Sequence, residues 1–89
     1  QQNYGNYSNP EYDALLELAV LKLETGNPLS ARAFLERHMA VREPSPQTLL
    51  LAWEVERTLG DDAAADRFRQ QLRETFPDSA EAERVARGG

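Results

Sequence analysis

Cysteine is absent from the chain and histidine occurs once, at His38. Without cysteine there is no disulfide framework, thiolate nucleophile or cysteine-ligated zinc, and the absence fits a reducing or an oxidising compartment equally well. With one histidine, a metal cluster built on imidazoles is excluded, and a Ser-His-Asp arrangement would have to run through His38. Basic charge is also short: 10 Lys and Arg stand against 15 Asp and Glu, a net charge of −5. A phosphate-backbone ligand calls for clustered Lys and Arg, so no nucleic acid is expected as a partner. Long apolar runs are missing too. The longest, "LLELAVLKL", is interrupted by Glu17 and Lys22 and falls short of the roughly 18–20 residues that span a bilayer. The opening "QQNYGNYSNP" lacks a basic stretch followed by an apolar one, so it does not read as a signal peptide. Neither a glycine-rich phosphate cradle nor a period-2 alternation that would mark strands is found.

What is present is helical punctuation. Residues 1–8 are polar apart from Tyr4 and Tyr7 and have no periodicity, so they are expected to form a flexible arm. A helical domain is expected over 9–87. Asn9-Pro10, Asn27-Pro28 and Ser45-Pro46 each precede a run of helix formers. In each pair the first side chain can cap a helix, and proline takes the first helical position, where its missing N–H costs nothing. The spacing predicts helices over 10–24, 28–41 and 46–59. Leu15, Leu18, Ala19 and Leu23 form the stripe of the first, Ala31, Phe34, Leu35 and His38 that of the second, and Leu49, Leu50, Trp53 and Glu56 or Arg57 that of the third. Gly26 and Gly60 suit the left-handed position beyond a helix end. Asp61 or Asp62 should cap a fourth helix running to about Phe76, with Pro77 ending it. Asp78 and Glu81 form a capping-box-like pair opening a short end helix within 78–87.

Gly60 follows Gly26, and Ala65 follows Ala31, by thirty-four residues. Helix, turn and helix at that period is the signature of the tetratricopeptide (TPR) repeat. The fold expected is therefore all-α: two TPR hairpins, at about 10–44 and 45–77, and a C-terminal capping helix, forming an α-α superhelix. Ala31 and Ala65 are small because they fall where the two helices of a hairpin cross most closely, with axes ~8–10 Å apart. The pattern has drifted. Lys22 stands where Tyr is usual, and Pro44 comes one place late. Ala52 and Trp53 stand where Leu and a small residue are usual, and Arg69 where an aromatic is usual. Trp53 is expected either to open the second hairpin locally or to lodge between repeats, as a core or packing residue.

The stretch "NPEYDALLELAVLKLETGNPLSARAFLERH" with "SPQTLLLAWEVERTLGDDAAADRFRQQLRETFPDSAE" resembles the C-terminal repeats of the type IV pilus biogenesis and stability lipoproteins, the outer-membrane pilotins of the PilF/PilW family. The likeness covers about residues 9–84, and "FPDS" is its sharpest motif. It implies a non-enzymatic protein-binding scaffold that assists secretin localisation and assembly. It also implies a periplasmic location, with attachment to the outer membrane through a lipid anchor that this chain does not carry. The chain would be the C-terminal portion of such a protein. The same ending is similar to other envelope TPR lipoproteins, associated with β-barrel assembly or with Tol and the cell wall, which is the alternative. A small hydrolase or metal-binding domain is a third, weaker alternative.

No cofactor is expected, and neither a catalytic nor a metal-ligating residue. His38 sits near the packed side of its helix and has no nucleophile motif beside it. "GDDAAAD" lacks the alternating oxygen ligands of a calcium loop, and capping already explains its carboxylates. "EVER", "RFRQQLRE" and "EAER" are spaced for exposed i, i+3 and i+4 pairing on a solvated face. In a repeat stack the first helices line a concave surface. On this register the partner-binding residues are Asp13, Leu16, Glu17, Val20 and Glu24, with Gln47, Leu50, Glu54 and Arg57. The partner expected is a protein, a secretin subunit or another envelope protein. Self-association through residues 1–25, or swapping of the first helix, is expected because the packed side of the first hairpin is left open.

Overall fold

The computed structural model describes residues 10–88, and the proposed cap Asn9 and arm 1–8 lie outside them. Five helices follow in order: α1 (Pro10–Glu24), α2 (Pro28–Val41), α3 (Pro46–Leu59), α4 (Asp62–Thr75) and α5 (Ala80–Gly88). The first three have the bounds that their caps and prolines predict. The fourth stops one residue short of Phe76, which serves as its C-cap. No helix among the described residues is long and apolar enough to cross a membrane.

The two glycines end α1 and α3 by one mechanism. Gly26 and Gly60 have φ of 85° and 82°, the left-handed region that glycine enters without a Cβ penalty. The Gly26 N–H donates to Leu23 O and the Asn27 N–H to Lys22 O; the Gly60 N–H donates to Arg57 O and the Asp61 N–H to Glu56 O. Each chain reversal thus satisfies the last carbonyls of its helix with the same pair of bonds.

The helix starts differ more than the sequence suggests. Ser45 is extended, and its Oγ accepts from the Thr48 N–H at 3.2 Å. Asp61 accepts from the Ala64 N–H at 3.1 Å. Asn27 does not cap with its side chain, whose amide donates to Thr25 Oγ1 instead. At α5 the capping residue is Ser79 rather than Asp78. The Ser79 Oγ accepts from the Ala82 N–H at 3.0 Å and donates to Phe76 O at 2.8 Å, so one hydroxyl ties the loop to the helix start.

α1 pairs with α2 and α3 with α4 as two hairpins; α2 packs on α3, and α5 packs on both α3 and α4. Two apolar clusters result. Ala19, Ala31, Leu35, Leu51, Ala52 and Val55 form the first, between the repeats. Leu49, Trp53, Ala65, Leu72, Ala82 and Val85 form the second, joining the last hairpin to α5. Ala31 and Ala65 are buried, as close crossings require. Phe68 packs against both clusters and fills the aromatic role that Arg69 leaves vacant. Its counterpart thirty-four residues earlier, Phe34, packs in the first cluster.

Candidate functional site

α1, α3 and α5 are the first helices of successive units, and α3 touches both of the others. They therefore lie side by side and share a face. An open groove on that face is lined by Leu23 from α1, by Trp53, Glu54, Arg57 and Thr58 from α3, and by Arg84 from α5. Three helices contribute because each presents a residue from the strip left over when its core-facing stripe is buried.

The groove combines charged side chains with a buried indole. Trp53 is 4% exposed and held in the second cluster, so the indole lodges between the last hairpin and α5. The Arg57 guanidinium lies 4.7 Å from the centroid of its ring, a cation–π distance. Arg84 Nη2 lies 3.3 Å from Glu54 Oε2, so this ion pair links α5 to α3. Arg57 and Arg84 both line the groove beside Glu54.

Of the expected lining residues, Glu54 and Arg57 meet in this groove. Leu16 and Leu50 are half-buried and pack against the first and second clusters respectively. Glu17, Val20, Glu24 and Gln47 are exposed outside the groove. Asp13 lies in the first turn of α1, and its side chain is outside the described residues. Leu23, Trp53, Thr58 and Arg84 were not among the expected lining. Arg84 could not be found from the repeat register, because α5 belongs to no complete repeat.

The charged runs are not simply a solvated face. Glu56 is 5% exposed. It receives Arg32 Nε on Oε2 at 2.9 Å and Arg32 Nη2 on Oε1, while Asp61 Oδ2 lies 3.5 Å from the same guanidinium. The hydrogen bonding to Glu56 raises the Arg32 pKa above its ordinary value, the neighbouring carboxylates adding to the effect and burial opposing it. This network joins α2 to α3 and to the start of α4, holding the repeats in register rather than facing a partner. The expected i, i+4 pairing does occur at the exposed Arg87 and Glu83, 3.8 Å apart.

His38 is buried in α2. Thirty-four residues on, the second repeat buries Leu72 at the corresponding place, which makes His38 a core position. Asp61 and Asp62 in "GDDAAAD" occupy the cap and first turn of α4. Among the described residues no group of three or more His, Cys, Asp or Glu could hold a metal ion.

Two hairpins related by a thirty-four-residue shift, with small residues at the crossings and an end helix, define an all-α helical-repeat domain of the TPR type. Among solved structures the chain is similar to PilW, described as a widely conserved type IV pilus biogenesis factor. The identity is 30% and the TM-score 0.82, over 86% of this chain. The chain spans 36% of that protein's length. The likeness is to the kind of pilus protein whose repeats the sequence resembles. No protein-family model and no curated protein sequence matches the chain.

Proposed function

We propose that the chain is the protein-binding scaffold of a type IV pilus pilotin, assisting an outer-membrane secretin to reach its membrane and assemble. The observation that carries this reading is the 30% identity with PilW along a shared fold, over 86% of the chain. The groove across α1, α3 and α5 supplies a physical means. Leu23 offers apolar area, worth ~25 cal/mol per Å² when buried, and Arg57, Arg84 and Glu54 supply charge that selects the partner.

The setting that follows is the cell envelope, at the periplasmic side of the outer membrane, with attachment through a lipid anchor elsewhere in the parent protein. The role needs no catalysis, cofactor or metal. His38 acts in it only as a packing residue, so His38→Ala should alter stability and no turnover.

Secretin subunits should be retained by the full-length parent in a pull-down and lost when Glu54→Lys and Arg57→Glu are combined. A parent whose deletion leaves secretin localisation and assembly intact would refute the pilotin role. Retention of barrel-assembly or Tol components instead would assign the scaffold to another envelope system.

A further inference from the structure

The groove changes character between α3 and α1. At the positions of Glu54 and Arg57, thirty-four residues earlier, α1 carries Val20 and Leu23. Leu23 lines the groove together with Glu54 and Arg57, so the α1 strip continues that groove rather than forming a separate surface. Two positions that are charged in α3 are thus aliphatic in α1, and Val20 stands 36% exposed there.

Leu16, Val20 and Leu23 fall at i, i+4 and i+7, in one line along the helix. Leu16 and Leu23 are half-buried and rest on the first cluster, which fixes the line from beneath. Glu17 and Glu24 lie three residues before and four after Val20, so both sit beside it on the helix surface. Both are exposed, and neither makes an ion pair among the described residues. Lys22, two residues from Val20, does not face it. The exposed edge of the aliphatic line is therefore acidic, whereas across the groove Glu54 already pairs with Arg84.

We infer that the partner of this face is a basic amphipathic helix. Its aliphatic side chains lie along Leu16, Val20 and Leu23, and its Lys or Arg residues meet Glu17 and Glu24. The inference rests on the reading of this face as the partner-binding one and adds the chemistry of what it binds. The straight line of side chains at helical spacing matches the apolar stripe of a second helix laid in a groove, and the two carboxylates set the sign of the charge beside it.

The test uses the whole chain, ¹⁵N-labelled, and three synthetic peptides of equal length. One has leucines at amphipathic helical spacing with lysine at the remaining positions; the second has glutamate in place of lysine; the third has the composition of the first, shuffled out of that spacing. The lysine helix should perturb the amides of Val20, Leu23 and Glu24 and the emission of Trp53, the one tryptophan of the chain and part of the same groove. The glutamate and shuffled peptides should do neither at the same concentration. Val20→Ser, at an exposed position, should weaken the lysine helix roughly threefold by removing apolar contact. Glu17→Lys with Glu24→Lys should weaken it roughly threefold to tenfold, as loss of exposed ion pairs does, and should remove part of its salt dependence. The inference is overturned if the glutamate or shuffled peptide binds as well, if the perturbed amides lie away from α1, or if Val20→Ser and the double charge reversal both leave binding unchanged. A parent that leaves secretin assembly intact when deleted, while the chain still takes the lysine helix on α1, would remove the pilotin role and leave this inference standing.

Discussion

Arg32 and Glu56, twenty-four residues apart, form a two-point hydrogen-bonded pair across the junction between repeats, with the carboxylate buried and the guanidinium partly open to water. That asymmetry sets the order of two substitutions. Arg32→Ala strands a buried carboxylate, whereas Glu56→Ala leaves a guanidinium that can turn to solvent or toward Asp61. Glu56→Ala should cost about 1–3 kcal/mol, and Arg32→Ala should lower the urea midpoint further. The opposite order in equilibrium unfolding would show that the pair is not desolvated as described.

Ala31 and Ala65 sit buried at the helix crossings. Replacing either by Leu should overpack its crossing and destabilise the fold by ~1–3 kcal/mol. An unchanged thermal midpoint would remove the close-crossing assignment.

Much of the fold was legible because its punctuation is local. Proline at the first helical position, Gly26 and Gly60 beyond the ends, and Ser45 as a cap each act within a few residues. Side-chain partners were less legible than helix bounds. Asn27 looks like a cap in sequence, yet its side-chain amide turns back to Thr25 Oγ1. Asp78 looks like the cap of α5, yet the Ser79 hydroxyl is the one that reaches the Ala82 N–H. The face was less legible than the fold. Glu54 and Arg57 were reachable from the repeat register, but Arg84 enters from α5, and the burial of Glu56 depends on Arg32, which local spacing cannot pair with it.

The capping contrast is directly measurable. Ser45→Ala removes an acceptor from the start of α3 and should cost ~0.5–2 kcal/mol, while Asn27→Ala should stay within about 0.5 kcal/mol of the parent. Equal losses for the two, in chemical denaturation, would contradict the geometry.

Gly26 and Gly60 share the left-handed conformation, and a Cβ at either would meet nothing within 4 Å. Alanine there should therefore act through backbone strain alone, costing roughly 1–2 kcal/mol, nearly the same at both sites. Asparagine, which tolerates that region, should cost less. Widely different losses for Gly26→Ala and Gly60→Ala would mean that the two reversals are not equivalent.

The end helix gives the stack a direction. Toward the core α5 buries Ala82 and Val85, and Glu83, Arg84, Ala86 and Arg87 are exposed; α1, at the other end, shows Leu18 and Leu21. Any element taking the place of α5 against α3 and α4 would break the link from Arg84 to Glu54. The groove beside Trp53 therefore depends on α5 keeping its place, because Arg84 reaches it only from that helix.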